Sequence, residues 1–512
     1  MLKYTGHPLV DVGAATILAF SKKSSLSDLT EKDLDKVADY IESHYVVNPL
    51  KSFLNVAFVN SGFTQPAFEK TPERRVNYAR RVARAYKKDV PVLEERCVFT
   101  GEPAVAIALG ASEKDDYPLG RAFRHNIPML TGEDVINFHP SGDAGMPVSG
   151  LALLCIQALP MGCAKCGGKL LAVHSDNPEL IYKFAWKFLA VNRKQIDLAR
   201  EAGSSKLPEA GSTAKTMLIE TLIEIEQARR DEQMDQRLYS VTAYHLTNSG
   251  QSNPLDARNP PLTIYHLPLE LTGFLAAITH VEYKGEWQAI ERRAWQMTQS
   301  TKTTAAKAEK PKKGKAKKEA TAKENTRPRR NFLYEDLFRL PRNAPQFIRR
   351  YFLRIPIRNT YEDDPRRGYS LKGETELVKW KLTQLFLERV MHMNASRIQC
   401  VREMGDLLAT YVYEENDQKF FATFYAEQRR YDVIRNALIK VNHARLKRGL
   451  PPVVKFDPYL EVFEDVDENG RSDWRLARDL VLIRMIERLY ELKWIEQHPD
   501  ALPDVNDESA TE

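Results

Sequence analysis

Four of the five cysteines lie between positions 97 and 166, and two of them are separated by only two residues. This pair is Cys163 and Cys166, and two glycines follow it in the segment LPMGCAKCGG. Thiolates at this spacing can face one zinc ion, and the glycines allow a tight turn whose N–H groups point at the sulfur atoms. The pattern indicates a zinc-knuckle region. One structural zinc ion would be held by Cys97, Cys155, Cys163 and Cys166.

The knuckle is incomplete, so its metal content stays open at this point. The earlier half has the sequence Cys97-Val-Phe-Thr100, with threonine where a second cysteine of a pair would stand. His139 or His174 could replace one ligand. The alternative is a degenerate knuckle that folds without metal around reduced, partly buried thiols. A thioredoxin-like redox role is disfavoured because no strand followed by a helix start frames the pair.

Basic residues gather in three segments that suit phosphate groups. One is a predicted helix over residues 70–90, another is a loop-rich stretch around Phe123, and the third is a basic-aromatic segment that begins at residue 331. Lys and Arg neutralise phosphates, and aromatic rings stack on bases. For the helix, the alternative is a solvated charged face. The predicted contacts to a nucleic-acid backbone are Arg74, Arg75, Arg80, Arg81, Arg84, Arg121, Arg124, Arg339, Arg342, Arg349, Arg350 and Arg354.

A polar loop between two predicted strands carries residue types that read base edges. The strands are RLYSVTAYHL and LTIYHLP, which are rich in β-forming residues. Asn and Gln side chains hydrogen-bond base edges, and Gly permits close approach to a groove. An ordinary hairpin loop, which the same residues favour, is the simpler interpretation from residue types alone. The loop residues with this potential are Asn248, Ser249, Gly250, Gln251 and Asn253.

Length and composition predict several domains and no membrane partner. A chain of 512 residues is too long for one ordinary core, so two or three domains are expected. No stretch approaches 18 uncharged apolar residues, and the N-terminus lacks the features of a signal peptide. Five cysteines without framework spacing indicate a reducing compartment, so we expect a cytoplasmic location.

The positive net charge is local. Residues 301–330 contain twelve Lys or Arg and three Glu, a charge of +9, so the rest of the chain carries −3 of the total of +6. This low-complexity composition cannot bury a core and predicts a disordered insertion or linker. The charge of the whole protein therefore says less about nucleic acid than the local clusters do.

The periodicity of apolar residues predicts an α+β fold. Helices are expected over 27–45, where Thr30 and Asp33 resemble a capping box, and over 374–412, 418–447 and 473–494. The expected divisions are a mixed N-terminal domain at 1–297 that holds the cysteine region 97–174, the Lys-rich segment at 298–330, a basic connecting segment at 331–373, a C-terminal α-helical bundle at 374–496 and an acidic tail at 497–512.

Together these features resemble the large subunit of the type I-B CRISPR Cascade surveillance complex, a Cst-type CRISPR-associated family. The resemblance covers the chain outside 298–330, and Thr100 departs from the paired-cysteine pattern of the family. It rests on the N-terminal segments GHPLVDVGAATILAF and NPLKSFLNVAFVNSGFTQP, on the degenerate cysteine region, on the strand and loop YHLTNSGQSNP, and on the C-terminal helical bundle.

The resemblance implies a non-catalytic subunit that acts in antiviral defence. Such a subunit reads the short protospacer-adjacent motif in duplex DNA, helps to open the strands into an R-loop and recruits the helicase-nuclease, while RNA–DNA pairing reads the sequence. Its partners would be the CRISPR guide RNA, target double-stranded DNA, and the backbone, handle-binding and small subunits of Cascade. The loop residues 248–253 would contact the motif.

Three other functions remain open from the sequence. The same subunit could serve a CRISPR-associated transposon targeting complex. A metal-dependent nuclease could use the cysteine region, although the sequence offers no carboxylate cluster for such a metal site. A general RNA-binding scaffold would show no preference for a DNA motif.

Overall fold

The structure is a computed structural model that describes residues 2–111, 117–130, 144–232, 237–247, 260–297, 328–358, 360–464 and 473–502. The chain divides into two compact units, Met1–Thr272 and Gly273–Glu512. Helices and small antiparallel sheets make up the first unit, and helices dominate the described part of the second. The α+β class and the helical C-terminal region are confirmed at this level.

The first unit is built from short and long helices around one larger sheet. Its elements are α1 (Pro8–Ser21), α2 (Glu31–His44), α3 (Leu50–Leu54), α4 (Pro72–Ala83), β1 (Val92–Arg96), β2 (Pro103–Val105), β3 (Arg121–Ala122), β4 (Met146–Pro147), α5 (Gly150–Ala158), β5 (Ala164–Cys166), β6 (Lys169–Ser175), α6 (Pro178–Glu201), α7 (Ala214–Asp231), β7 (Val241–Leu246), β8 (Leu262–Leu267) and α8 (Leu269–Ala277), the last crossing the unit boundary.

Helix α1 lies at the centre of the first unit. Its sequence is apolar on every side, so it is buried from Leu9 to Ala19 and packs on α5, α6 and β6. Gly13 permits the close approach to α5, because a Cβ atom there would lie 2.0 Å from the carbonyl oxygen of Cys155. The apolar run after the N-terminal turn therefore forms the core helix of the unit.

Helix α2 begins with the predicted cap. The Asp33 carboxylate accepts hydrogen bonds from the backbone N–H of Thr30 at 3.1 Å and from its hydroxyl at 2.7 Å. These bonds fix the first turn, and Val37, Ala38 and Ile41 form the buried stripe of the helix. The expectation of a helix with this start is confirmed.

The larger sheet has the strand order β5-β6-β7-β8, and all its pairings are antiparallel. Leu170, Ala172 and Leu246 lie on one face and join the core that contains α1. The other face carries Tyr265, whose ring lies 5.4 Å from the ammonium group of Lys215 on α7. Both faces of the inner strands are thus covered. Two further pairs, β1 with β2 and β3 with β4, form two-stranded sheets.

The second unit contains a set of helices and shorter turns. Its helices are α9 (Val281–Arg293), α10 (Phe332–Leu337), α11 (Ala344–Phe347), α12 (Leu371–Glu374), α13 (Trp380–Arg389), α14 (Ala395–Glu415), α15 (Gln418–Ala426), α16 (Tyr431–Leu446), α17 (Phe456–Tyr459), α18 (Trp474–Glu491) and α19 (Trp494–Gln497), with π-helical turns at Ile348–Phe352 and Leu460–Glu464.

Two helices that the sequence predicts to be continuous are each interrupted, so their predicted lengths are wrong. The stretch 374–412 breaks between α13 and α14, where His392 has a φ of 50° and the Asn394 side chain caps α14 through the N–H of Ser396 at 2.8 Å. The stretch 418–447 breaks between α15 and α16. There the Glu427 carboxylate accepts bonds from two backbone N–H groups, each at 2.8 Å. Local polar caps therefore outweigh the continuous apolar pattern.

The last long helix starts where the sequence predicts. The Asp473 side chain accepts a hydrogen bond from the Leu476 N–H at 3.1 Å, which caps α18. Helix α18 packs along α14 at Gly405, where a Cβ atom would lie 2.7 Å from the Arg484 side chain. This helix pair forms the centre of the C-terminal bundle.

The division of the chain differs from the expected one. The unit boundary falls after Thr272 rather than at 297, because α9 packs against α13 of the second unit. Residues 331–373, expected as a connecting segment, contain fully buried side chains such as Leu333 and Phe347. They are part of the core of the second unit.

Residues 298–327 lie outside the described part of the chain, but the residues that flank them are paired. Trp295 bridges Asn331 in antiparallel fashion, and the Gln296 N–H donates to the Arg330 carbonyl at 2.8 Å. The two ends of the Lys-rich segment therefore meet within the second unit, so this segment is an insertion in that unit. The acidic tail beyond residue 502 also lies outside the described residues.

Among the helices that the structure describes, none has both the length and the apolar composition needed to cross a bilayer.

Candidate nucleic-acid interface

The predicted strand–loop–strand element is present as a hairpin. Strands β7 and β8 pair from Val241 with Leu267 to Leu246 with Leu262, and the Thr247 N–H then donates to the Pro261 carbonyl at 2.8 Å. The two predicted strands are thus confirmed. Residues 248–253, which the sequence predicts to read a DNA motif, lie outside the described residues, and the structure describes only the stem that precedes and follows them.

Polar and aromatic contacts fix this stem to the rest of the sheet. His245 Nε2 lies 2.9 Å from the Cys166 carbonyl oxygen, and Lys169 Nζ donates to the Pro260 carbonyl at 2.5 Å. The rings of His245 and Tyr265 stack with centroids 6.1 Å apart. Burial lowers the pKa of His245, so the neutral ring is favoured at this junction. The base of the loop is therefore rigidly placed beside the cysteine region.

The four cysteines of the predicted knuckle are buried and lie in different surroundings. Cys155 is on α5 against α1, and Cys163 is in the main core. The sulfur atom of Cys166 lies 3.7 Å from that of Met217, and Cys97 lies just after β1. Within the described ranges, no three His, Cys, Asp or Glu side chains form a group that could hold a metal ion.

Burial also disfavours the charged thiolate form of three of these cysteines. Burial raises the pKa of Cys155 and Cys163, and it raises the pKa of Cys166 to about 12. His174, named as a substitute ligand, instead lies 3.2 Å from the Asp11 carboxylate. Burial alone would raise the pKa of Asp11, but hydrogen bonds from His174, Thr5 and Gly6 outweigh it and lower that pKa. The zinc site therefore stays a prediction.

Helix α4 and the residues that directly follow it, predicted to bind phosphates, direct much of their charge at helix α2. Arg84 forms ion pairs with Glu42 and Asp39, and also with Asp35 at 3.4 Å. Farther along, Lys87 pairs with Asp35 at 2.7 Å and with Glu31 at 2.8 Å. These contacts, named here the α2–α4 ion pairs, place carboxylates where phosphates were expected.

Of the remaining arginines of α4, two are buried or half-buried and two are exposed. Arg75 is buried and pairs with Glu69, and Arg81 donates to the Gly110 carbonyl at 2.7 Å. Arg80 is exposed, although its Nε lies 3.2 Å from Glu42. Arg74 is exposed and stacks over the Phe68 ring at 5.7 Å. Arg74 and Arg80 are therefore the arginines of this helix that face solvent.

The loop-rich segment around Phe123 likewise has one buried and one exposed arginine. Arg121 is buried and pairs with Glu95 at 2.6 Å, while it also donates to the Gly145 carbonyl at 3.3 Å. Arg124 is exposed. Phe123 between them is 1% exposed, so it serves the core and not a stacked base.

Three arginines of the basic-aromatic segment form ion pairs with buried carboxylates. Arg349 pairs with Asp479 at 3.0 Å, and Arg350 lies 3.4 Å from Asp336. Arg354 has no exposed surface; it pairs with Glu374 at 2.7 Å and stacks over a tyrosine ring. These guanidinium groups hold the second unit together. Arg339 and Arg342, in contrast, are exposed.

One basic surface was missed by reasoning from the sequence. The solvent-facing side of α16 carries Arg435, Lys440, His443 and Lys447, and all four are exposed. In the described residues none of them has a carboxylate within ion-pair distance. All four lie within the helix predicted over 418–447, and their spacing along that helix was the available signal. This side of α16 suits the phosphate groups of a nucleic-acid backbone.

A scan against protein-family models, a search of curated proteins and a search of solved structures each find no match to this chain.

Proposed function

We propose that this protein is the non-catalytic large subunit of a CRISPR RNA-guided surveillance complex of the Cascade type. In this proposal the loop between β7 and β8 reads the short motif beside the protospacer in duplex DNA. Asn248, Gln251 and Asn253 supply hydrogen bonds to base edges, and guide RNA pairing reads the remaining sequence. The protein then helps to open the strands and recruits the helicase-nuclease for antiviral defence.

The observation that carries the proposal is the hairpin stem of β7 and β8. Its ladder continues to Thr247 and Pro261, so both ends of a polar loop of 13 residues, 248–260, are fixed at one place in the sheet. A loop on a rigid scaffold is the usual way in which proteins place recognition residues. The exposed Arg74, Arg80 and Arg124 of the same unit supply charge for phosphates.

The test is reconstitution with a type I-B guide RNA and the backbone and handle-binding subunits. Binding would be measured for duplex targets that differ only in the few base pairs flanking the protospacer. The double variant Asn248→Ala plus Gln251→Ala should lose about tenfold or more of the discrimination, since each bidentate base contact provides ~1–3 kcal/mol. Incorporation of the chain and binding of guide RNA should persist.

A matched control variant removes two side-chain amides that lie outside the loop. Gln384→Ala plus Gln399→Ala deletes a half-buried and an exposed amide that donate to Glu388 and Glu403, at 2.8 Å and 2.7 Å. This control should discriminate between targets like the unchanged protein. If the loop variant discriminates between the targets as well as the unchanged protein does, the assignment of motif reading to this loop is wrong. Binding of the whole complex that ignores the flanking base pairs would favour the RNA-binding scaffold.

The zinc ion is a separate prediction that rests on the spacing of the cysteines. The metal-free form of the knuckle is proposed, because the described residues contain no group of three possible metal ligands and burial raises the pKa of three of the thiols. Metal analysis of the purified protein decides between the two forms. One equivalent of zinc in the wild type, and its loss in Cys163→Ser, would show that the metal-bound form is the correct one.

The absence of catalysis is also a proposal. Incubation of the isolated chain with labelled duplex and single-stranded DNA, with and without divalent cations, should leave the substrates intact. Cleavage that depends on a divalent cation would support a nuclease instead. Recruitment of a transposition adaptor in place of the helicase-nuclease would place the same subunit in a transposon targeting complex.

A further inference from the structure

Strand β8 forms one edge of the larger sheet, and the preceding proposal makes no use of its outer side. The strand runs from Leu262 to Leu267 and pairs with β7 along its whole length. Among the strands that the structure describes, none lies beyond it in the sheet. An edge of this kind is a template for another strand, because its outer N–H and C=O groups lack partners.

The register shows which backbone groups point outward from this edge. The Thr247 N–H donates to the Pro261 carbonyl, so these two opposed residues form a hydrogen-bonded pair. Such pairs alternate with non-hydrogen-bonded pairs along an antiparallel ladder, so residues 263, 265 and 267 bond to β7. The residues whose N–H and C=O groups point away from β7 are Leu262, Ile264 and His266. No backbone group of the described chain bonds them on that side.

The edge also lacks the features that normally prevent strands from associating. Proteins protect exposed edges with lysine, with proline or with a bulge. The strand sequence LTIYHL contains no Lys, Arg, Asp, Glu or Pro, and its pairing with β7 is regular from Leu246 opposite Leu262 to Val241 opposite Leu267. The Ile264 side chain is 55% exposed. An apolar side chain therefore stands in water at the middle of an unprotected edge.

We propose that two copies of this chain associate by antiparallel pairing of their β8 strands about a two-fold axis at Ile264. The outward residues are spaced evenly about this position. Ile264 therefore lies opposite Ile264 of the other copy, and Leu262 lies opposite His266 of the other copy. Each opposed pair exchanges both of its N–H···O=C bonds, so every outward backbone group of the strand gains a partner. One patch serves both copies, as a two-fold interface requires.

The side chains and the charge of the strand favour a second copy as the occupant. On one face the two Ile264 side chains meet at the axis and shield each other from water. On the other face Thr263 of one copy lies opposite Tyr265 of the other, and β-branched and aromatic side chains form favourable cross-strand pairs. A strand without Lys, Arg, Asp or Glu sets no like charges against its own copy and offers no counter-charge to an acidic or basic peptide.

The contact is small, which determines how the dimer behaves. One strand of six residues from each copy forms the pairing. Interfaces that bury less than about 1,200 Å² in total belong to the weak and transient class. The dimer should therefore form at micromolar concentration and dissociate on dilution. It concerns the free chain and does not depend on the proposed function.

The first measurement is sedimentation velocity of the full chain up to about 200 μM, where a dimer with a dissociation constant in the tens of micromolar is mostly formed. Ile264→Lys should weaken dimerisation about tenfold or more, because it sets two charges against each other at the axis. The matched control is Ile439→Lys on α16, where the isoleucine is 57% exposed, and it should sediment as the wild type does. Both variants should keep the wild-type melting temperature.

The second measurement is hydrogen exchange at single-residue resolution, at low and at high protein concentration. The outward N–H groups of Leu262, Ile264 and His266 should be protected only at high concentration. The N–H groups of residues 263, 265 and 267 bond to β7 and should be protected at both concentrations. Protection that alternates along one strand in this way is specific to pairing at its edge.

The outcomes separate this inference from the proposed function. A chain that stays monomeric at every concentration overturns the dimer, as does a dimer that persists in Ile264→Lys or is equally weakened in Ile439→Lys. Outward N–H groups that are protected at every concentration would show that the chain covers its own edge. Protection that appears only with guide RNA and the other subunits would assign the edge to a different protein, and both results refute the second copy. Flank discrimination in the assembled complex depends on the loop, so Ile264→Lys should retain it.

Discussion

Arginine side chains of similar sequence context have opposite roles in this protein. Arg354 is fully buried against Glu374, whereas Arg342, only twelve positions earlier, is exposed at the turn before α11. The free energy of a buried guanidinium depends on its carboxylate, because an unpaired charge in the interior is strongly destabilising. Stability measurements can therefore separate the two classes of arginine before any ligand is known.

We predict that Arg354→Ala destabilises the second unit by about 3–5 kcal/mol, the usual cost of breaking a buried ion pair. Urea unfolding followed by circular dichroism should show the transition at lower urea concentration. Arg342→Ala should change the stability by less than about 0.5 kcal/mol, as is usual for exposed positions. A stable Arg354→Ala protein with weakened nucleic-acid binding would contradict the structural role.

His245 provides a prediction for pH dependence. Burial lowers its pKa below the ordinary value of 6.5, so the folded protein holds fewer protons on this ring than the unfolded chain does. Its contribution to stability is present above that ordinary pKa and is lost as the pH falls below it. His245→Gln keeps a donor for the Cys166 carbonyl without titrating.

The measurement is the melting temperature at pH 7.5 and at pH 5.5. The decrease on acidification should be smaller in His245→Gln than in the wild type. His443→Gln, at an exposed position on α16, serves as the matched control and should melt as the wild type does at both values. An unchanged pH dependence in His245→Gln would show that the ring does not contribute to acid sensitivity.

The partners of residues were harder to predict from sequence than their types. The basic pattern of α4 was recognised, but Arg80, Arg84 and Lys87 match the spacing of the carboxylates at positions 31, 35, 39 and 42 on α2. A comparison of the two helices would have indicated the α2–α4 ion pairs. The buried pair of Arg354 and Glu374 has no such signal, since it depends on how the second unit folds.

At the scale of elements, close helix packing depends on single glycines. Gly13 on α1 leaves no space for a methyl group, since a Cβ atom there would lie 2.0 Å from the Cys155 carbonyl oxygen on α5. Gly285 on α9 has nothing within 4 Å of the corresponding position. The same substitution should therefore have opposite effects at the two sites.

We predict that Gly13→Ala destabilises the protein by about 1–3 kcal/mol, because overpacking forces α1 and α5 apart. Gly285→Ala should stabilise by roughly 0.5–1 kcal/mol through the higher helix propensity of alanine. Thermal unfolding of both variants beside the wild type provides the comparison. A decrease in melting temperature for Gly285→Ala, or none for Gly13→Ala, would disagree with the packing described.

Element type was better predicted than element length. The periodicity of apolar residues predicted α2 and α18, and the β-forming residues predicted the two strands of the hairpin. The breaks before α14 and α16 were missed, since Asn394 and Glu427 form caps there without a change in the apolar pattern. Caps made by single polar side chains are local events that an average over a long window hides.

At the scale of the whole molecule, the Lys-rich segment is inserted between paired ends. Trp295 and Asn331 bridge each other, so the fold of the second unit closes without the segment between them. We predict that a short Gly-Ser linker in place of residues 299–326 leaves the melting temperature within about 2 °C. The replaced segment contains nine Lys and three Glu.

The same replacement should weaken non-specific binding to duplex DNA and reduce its dependence on salt, because counterion release follows the number of phosphates neutralised. A linker of equal length that keeps the nine lysines is the control and should bind like the wild type. Loss of the folded second unit on replacement would contradict its description as an insertion.

The hairpin stem of β7 and β8 has a consequence for how this protein can change over evolutionary time. Its two strands stay about 4.8 Å apart whatever joins them, so the joining residues can be exchanged without altering the sheet. Doubling the length of such a connection costs only about 0.6 kcal/mol in closure entropy. Under the proposed function, a new DNA motif could thus be accommodated by exchange of the connection as a cassette, and chimeras that carry an unrelated polar connection should keep their fold.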